Sequence, residues 1–512
     1  MDKSKKLIAL EERARRMKVD FVDMDDYTLK PSLCEHIPFA FARQYKVAPL
    51  NLEEDSDTLV VAMEDPTDLY VYEQLEVRTK HKIKPVLADT RDIQEAIEEL
   101  YREITLRDLY IPRLKDKEFQ PLLKMIKHET VEFFTSILAN SLKRGATDVH
   151  LEVFQNSFKV RYRIDGVIAE TVEVPSVMES QISTLIKGLT GMKLEKRQIP
   201  QTGSFDILLR DIPLMIRTST LPTRFGERFV MRIMDGRQLS RKLEELGMGE
   251  DFLETSRKMC GYRQGIILVS GPSGSGISTT LYALMRETSS PQKISFSVED
   301  PIEGDIQGVN QMEVNPRFEL DYPHCLRAIL GQVPDVIMLS RAMTSETVHL
   351  LVEAALTGQL ILSGMYARNT INSITRLRDY GVEPYFISTA LIGVISQRLA
   401  RKVCPFCAEP VNEIPKVLSD EFKKHRIEGP YSLMEGKGCH QCLQTGFKDR
   451  IGLYEVLELS ETFRSMIMRG SIKSRLEAQA ERDGMKTLYT DGLEKVARGL
   501  TTFEEINRVL MD

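Results

Sequence analysis

Hydrophobic and polar positions change their spacing repeatedly along the first hundred residues. "DTLVVAMEDP" (57–66) and "KIKPVLAD" (82–89) carry the alternation or short apolar run of strands, whereas "LYVYEQLEVRTK" (69–80) and "RDIQEAIEELYREI" (91–104) repeat at helical spacing. Together they predict an α/β-ordered N-terminal domain over residues 1–104. "TLRDLYIPRLKDKEFQP" (105–121) interrupts the pattern with mixed charges and two prolines, and reads as a linker.

The stretch "LLKMIKHETVEFFTSILANSLKRG" then predicts a long amphipathic helix that stops at Gly145. "DVHLEVFQNSFKVRYRIDGVIAETVEV" alternates, with turns at "QNS" and "IDG", and residues 205–234 supply further strands, so 122–236 reads as an α+β domain. From 237 to 400 the pattern changes to βα units. "GIILVS" (265–270), "DVIML" (335–339) and "QLILSGM" (359–365) are continuous apolar strands separated by helices, which predicts a parallel sheet covered on both faces. A cysteine-bearing segment (401–450) and a helical region (451–512) complete the chain, without internal repeats.

Composition narrows the function classes. Hydrophobic content of 42% and charged content of 28% are those of a folded globular chain, and a formal net charge of -6 offers no broad positive field for nucleic acid. The basic cluster "RARR" (13–16) reads as solvated helix surface. No apolar run reaches the ~18 residues of a membrane span, and the N-terminal apolar stretch is too short for a signal peptide. A cytoplasmic protein is expected, touching a membrane only through partners.

Seven cysteines divide into two kinds. Cys34, Cys260 and Cys325 are isolated and read as small core residues. Cys404, Cys407, Cys439 and Cys442 form two C-x-x-C turns 31 residues apart, the pattern of four thiolates closing a structural tetrahedral Zn²⁺ site. His440 stands between ligands and reads as a bystander.

The sharpest chemical signal is "GPSGSGISTT" (271–280), between the strand "GIILVS" and a helix from about 278. Gly271, Pro272, Ser273, Gly274, Ser275, Gly276, Ser278 and Thr279 make a phosphate-cradling loop. Its backbone N–H groups and the helix dipole suit an anion, and the Ser278 hydroxyl suits Mg²⁺. The loop's lysine is replaced by Ile277, which removes a charge-assisted contact of about 1.5–3 kcal/mol and sets a branched apolar group near the phosphates. Weak nucleotide binding and an empty structural loop both remain open.

The chain resembles the secretion ATPases of type II secretion and type IV pilus assembly. "ATDVHLE" (146–152), "VRYRIDG" (160–166), "EKRQIPQTGSF" (195–205) and "RTSTLPTRFGERFVMRIM" (217–234) are similar to that family's second N-terminal domain. "SVEDPIE" (297–303) resembles its aspartate box, "LTGQLILS" (356–363) the approach to its histidine box, and "SQRLARKVCPFC" (396–407) the start of its zinc segment. "DGLEKVARGLTTFEEINRV" (491–509) resembles its C-terminal helices. The resemblance implies a RecA-like P-loop core in the α/β class, preceded by two N-terminal α+β domains, the second PAS-like, and followed by a zinc knuckle and helices. It also implies a hexameric ring, alone or mixed with an active paralogue, at an inner-membrane platform. The first domain would dock a membrane partner. The paired "RLGxxL" segments that bind cyclic di-GMP in some relatives are absent, so that ligand is not expected.

Measured against the family, the engine departs at several positions. Arg341 replaces the Walker B glutamate, Ser340 the preceding glycine and Tyr366 the histidine of the histidine box. Gly331 and Val333 replace an arginine and an acid, and Met343 and Thr344 another arginine and acid. Glu299, Glu303, Asp335 and Ser278 remain. Loss of the lysine and the water-activating glutamate predicts impaired ATP hydrolysis. Arg341 either reaches a phosphate or pairs with Glu299 or Glu303, the latter being preferred. Arg217 and Arg232 are assigned toward the nucleotide cleft, as in related motors, and Arg161 and Arg163 toward salt bridges with Asp148, Glu152 or Asp165. The expectation is a pseudo-ATPase subunit. An active motor with compensating residues and a zinc-dependent adaptor without nucleotide are the alternatives.

Overall fold

The computed structural model describes residues 3–511 except 18, 25–26, 28–32, 34–35, 38, 54–56, 80, 101–108, 117–118, 175–177, 210–211, 316–317 and 342–343. Two units form, residues 1–234 and 235–512. Cys34 and Met343 lie outside the described residues.

The first unit opens with a three-stranded sheet. β1 (Val47–Glu53) pairs antiparallel with β2 (Thr58–Met63), which pairs parallel with β3 (Lys82–Leu87) after the helix Leu69–Thr79. Val71 and Leu75 of that helix, Ile93 and Ile97 of the helix Thr90–Leu100, and Leu59, Val61 and Val86 of the strands close one core.

Seven more strands follow: β4 (Leu109–Tyr110), β5 (Ala146–Val153), β6 (Phe158–Ile164), β7 (Val167–Val174), β8 (Gln201–Leu209), β9 (Ile212–Thr223) and β10 (Gly226–Met234). They form an antiparallel sheet in the order β4-β8-β9-β10-β5-β6-β7. Strand side chains alternate, so Val149, Leu151, Val160 and Phe229 meet Phe134, Leu138, Leu185 and Leu189 from the helices His128–Lys143 and Glu179–Thr190. The linker reading needs correction here. Leu109 and Tyr110 pair with Leu209 and Leu208, and Leu109, Ile111 and Phe119 are buried in this core. Those apolar side chains outweigh the prolines and charges around them.

In the second unit β11 (Gly265–Ser270), β12 (Ser295–Glu299), β13 (Val309–Glu313), β14 (Val336–Leu339), β15 (Leu360–Met365) and β16 (Leu391–Val403) run parallel. After the small hairpin-like pair β17 (Ala408–Pro410) and β18 (Met434–Gly436), β19 (Phe447–Glu458) joins the same sheet antiparallel to β16. The order is β13-β12-β14-β15-β11-β16-β19. β11, β14 and β15 are buried at every position, with Ile266, Leu268, Ile337 and Ile361 facing one core and Ile267, Val269, Met338 and Leu362 the other. β19 corrects the reading of 451–512 as helical throughout, because Gly452 to Leu457 are buried against β16. Four helices then end the chain, from Glu461–Met468 to Phe503–Leu510. Cys260 and Cys325 are buried, as expected of core thiols. Among the described residues no helix is long and apolar enough to cross a membrane.

Candidate functional site

β11 delivers the glycine loop to the C-terminal edge of the sheet, where the helix Ile277–Thr288 begins. Gly276 is the residue before that helix and has φ 89°, a left-handed conformation that a side chain would strain. At Gly271 a Cβ would lie 2.6 Å from the Gln397 carbonyl oxygen, so the chain fits only without one. Gln397, buried on β16, clamps the loop: its Nε2 donates to the Ser275 carbonyl at 2.7 Å, and its Oε1 accepts from the Thr280 hydroxyl at 2.7 Å. Local sequence pattern assigns this residue no role. Its signal is a lone amide inside the apolar run "LIGVISQRLA".

Ile277 does not stand among the phosphate-facing groups as expected. Its side chain is buried and shares an apolar cluster with Val269, Leu281, Met338 and Leu362. An isoleucine prefers the core where a lysine ammonium would have to leave it. Ser278 donates its hydroxyl to Glu303 Oε1 at 2.9 Å. Thr279 is half-buried, and Pro272, Ser273 and Gly274 form the exposed crest of the loop.

Glu299 is buried and fully engaged. It accepts from the Tyr282 hydroxyl, from Ser297 at 2.6 Å and from Gln311 at 3.0 Å. The Tyr282 oxygen in turn accepts the backbone N–H groups of Glu303 and Gly304. Burial, and then the Glu299 charge, raise the Tyr282 phenol well above its usual range, so it remains a donor. Asp335, at the start of β14, accepts from the Ile294 backbone N–H at 2.8 Å, a strand-anchoring role at the end opposite Arg341.

Arg341 follows β14 and is half-buried. Its two terminal nitrogens donate to the Tyr366 hydroxyl and to the Asp300 carbonyl, each at 3.0 Å. The expected pairing with Glu299 or Glu303 is therefore corrected: both acids are satisfied by hydroxyl and amide donors, and the guanidinium turns to neutral oxygens. Burial opposes its charge, yet Tyr366, Tyr322 and Asp300 more than offset that and raise its pKa. The Walker B and histidine-box departures are thus one contact. Ser340 shares a hydrogen bond of 2.7 Å with Tyr322. Thr344 caps the helix Ser345–Leu356 by accepting from the Thr347 N–H. Gly331 ends the helix Tyr322–Leu330, and Val333 is exposed.

The four predicted metal ligands converge. Cys404 and Cys439 sulfurs lie 3.8 Å apart, Cys407 and Cys442 3.8 Å, and Cys439 and Cys442 3.6 Å. A tetrahedron with Zn–S bonds near 2.3 Å has edges of about 3.8 Å, so the donor set fits zinc. Burial pushes the Cys404 thiol up to about 12. Burial works the same way on Cys442, but the N–H groups of Cys439 and Gly446, each 3.2 Å from its sulfur, bring it down to about 6. The His440 backbone sits in the short turn His440–Cys442, and its side chain lies outside the described residues.

Residues 125–508 match the family model described as type II/IV secretion system protein, and residues 17–105 match the MshEN domain. The chain belongs to the type II/IV secretion system protein family. It is 32% identical to the type IV pilus assembly ATPase PilB of Thermus thermophilus over 96% of this chain, and spans 56% of that relative's length. It is 33% identical to the type II secretion system ATPase E of Vibrio cholerae, covering 92% of each. The fold is similar to that of the Legionella pneumophila ATPase DotB, with TM-score 0.54, 17% identity and coverage of 73% of this chain and 94% of that one. It is also similar to the pilus retraction motor PilT with bound ADP, with TM-score 0.51, 23% identity and coverage of 73% and 95%.

In this family member the arginines of the first unit share one sheet face. Register sets Arg217 of β9 opposite Arg232 of β10, and Arg232 opposite Asp148 of β5. Arg232 Nε donates to Asp148 at 2.8 Å, so this arginine, assigned toward the cleft from the sequence, holds a salt bridge within its own sheet. Arg161 and Arg228 both pair with Glu152, and Arg163 donates to the Gly166 carbonyl.

Proposed function

We propose that this chain is a cytoplasmic subunit of a type II secretion or type IV pilus assembly machine, built on its family's motor fold but impaired in ATP hydrolysis. The observation that carries the reading is the Arg341–Tyr366 contact at the end of β14, beside a loop whose Ile277 lies in the core. The loop's N–H groups and the helix dipole still favour phosphate oxygens, so weak nucleotide binding is retained. Ser278 and Glu303 are the hard oxygens that would hold magnesium, which supplies phosphate charge neutralisation when bound. Arg341, in place of a carboxylate directly after β14, takes no proton from an attacking water, a loss of about 10²–10⁴ in rate. Arg217 and Arg232 would serve the cleft of a homo-hexamer, or of a ring mixed with an active paralogue. Zn²⁺ on Cys404, Cys407, Cys439 and Cys442 is structural, because four thiolates leave no open position.

Titration calorimetry with ATP, paired with phosphate release from the zinc-replete oligomer, tests the proposal. Weak binding with negligible release supports it. Brisk release abolished by Ser278→Ala supports the active motor instead, and no heat with no competition by ADP leaves the adaptor.

A further inference from the structure

A cleft of about 560 Å³ opens beside Gly271, lined by Arg368, Arg376 and Arg398 with Asn372 and Asp379. Three guanidiniums thus face one carboxylate. Arg398 is half-buried, and among the described residues its terminal nitrogens donate to the carbonyls of Gln397 at 2.9 Å and Arg368 at 2.6 Å. Burial lowers its pKa, and the nearby Glu455 carboxylate offsets this only in part, so its charge is held at a cost. Arg376 lies over the Tyr380 ring at 5.5 Å, and Arg368 is exposed; neither has a carboxylate partner among the described residues. A desolvated cation beside two unpaired ones is an arrangement that a bound anion would relieve.

We propose that this cleft is a binding site for a small phosphorylated anion, of the pyrophosphate or nucleoside polyphosphate class, taken without a divalent cation. Guanidinium forks match phosphate oxygens two at a time, and the Asn372 amide adds a neutral donor. The volume falls within the ~300–1,000 Å³ typical of small-molecule sites. The arginines supply the charge that a metal would otherwise bring. Gly271 and Pro272 of the glycine loop form part of the same wall, so the proposal rests on the reading of that loop as an anion site, and the variants below separate arginine-held from loop-held anion.

Calorimetry with pyrophosphate in EDTA, on the full-length protein, tests it with two variants. Arg368→Gln/Arg376→Gln removes two exposed cations and should weaken binding about tenfold or more with an unchanged melting temperature. Ser273→Asp adds a negative charge to the exposed crest of the loop, one residue from Pro272 of the cleft wall, and should weaken pyrophosphate binding less than the arginine variant does while weakening loop-bound ATP. The proposal is overturned by a wild-type protein that takes up no pyrophosphate. It is equally overturned if Ser273→Asp abolishes uptake and the arginine variant keeps it, since the ion then belongs to the loop. Absent uptake together with loss of oligomer in the arginine variant would reassign the cleft to carboxylates of a second copy.

Discussion

Restoring the two missing groups is the most direct test of the reading. Ile277→Lys removes a buried branched side chain, a stability cost of about 1.5–3 kcal/mol. Its ammonium must leave the apolar cluster and run toward the loop crest, where each charge-assisted contact with a phosphate is worth about 1.5–3 kcal/mol. That is about tenfold or more in nucleotide affinity per contact. Arg341→Glu breaks the bonds to Tyr366 and the Asp300 carbonyl, and the Tyr366 hydroxyl can then donate to the new carboxylate. A positioned base contributes about 10²–10⁴ in rate, or about 3–5 kcal/mol of barrier, but only when the triphosphate is held in register. The expected cycle is therefore strongly non-additive. Ile277→Lys should bind more tightly without turning over, Arg341→Glu should do neither, and the double variant should release phosphate at least ~10²-fold faster than wild type. The assay is steady-state phosphate release on all four proteins, with calorimetry for affinity. A double variant that is folded, binds tightly and remains inert would refute the assignment of the deficit to these two positions. A wild type that already turns over and is slowed by Arg341→Glu would make Arg341 part of a working engine.

Three further outcomes are expected. Metal analysis should find one zinc per chain, and chelation or Cys407→Ser should expose residues 404–446 to protease while the parallel sheet keeps its protection. Gln397→Ala should strip the Ser275 carbonyl and the Thr280 hydroxyl of their buried partner, costing about 1–3 kcal/mol in denaturant unfolding and loosening the glycine loop. Lys187, buried with Glu227 at 2.6 Å and donating to the Lys196 carbonyl at 3.0 Å, should cost about 3–5 kcal/mol as Lys187→Met, and markedly less as Lys187→Met/Glu227→Leu.

What could be read in the sequence followed from short-range physics. β11, β14 and β15 are apolar at every position because both faces are covered, and such runs are visible without a structure. The thiolate set was equally plain, since each C-x-x-C turn fixes two sulfurs locally. β4 and β19 escape a local reading because their pairing depends on distant partners, β8 and β16, that no local window contains. The same limit hid Gln397, whose role needs β16 beside the loop, and misdirected Arg341. From the sequence, two acids in an adjacent motif looked like the natural partners. The structure gives those acids Tyr282, Ser297, Gln311 and Ser278, and leaves the guanidinium to Tyr366 and a backbone carbonyl.

Arg341 and Tyr366 belong to different motifs, and taken singly each is a loss. As a contact they are a replacement. A histidine at 366 would offer a single lone pair and would itself become cationic on protonation, whereas a phenol oxygen accepts through its lone pairs and takes up no proton. The pair therefore fixes a positive charge where the family's engine carries a negative one. A fixed cation attracts bare phosphates and repels a divalent metal, so metal dependence should be inverted: ATP should bind more tightly in EDTA than with magnesium. At an effective dielectric of about 20, a divalent ion about 6 Å from a guanidinium is repelled by on the order of 5 kcal/mol, which weakens the hold of one carboxylate and one hydroxyl on the metal. Tyr366→Phe removes the acceptor and should shrink the difference by loosening the guanidinium. Calorimetric affinities for ATP with and without magnesium decide the matter. Tighter binding in magnesium by the wild type would mean that Ser278 and Glu303 hold the metal despite Arg341, and the charge-reversal argument would fail.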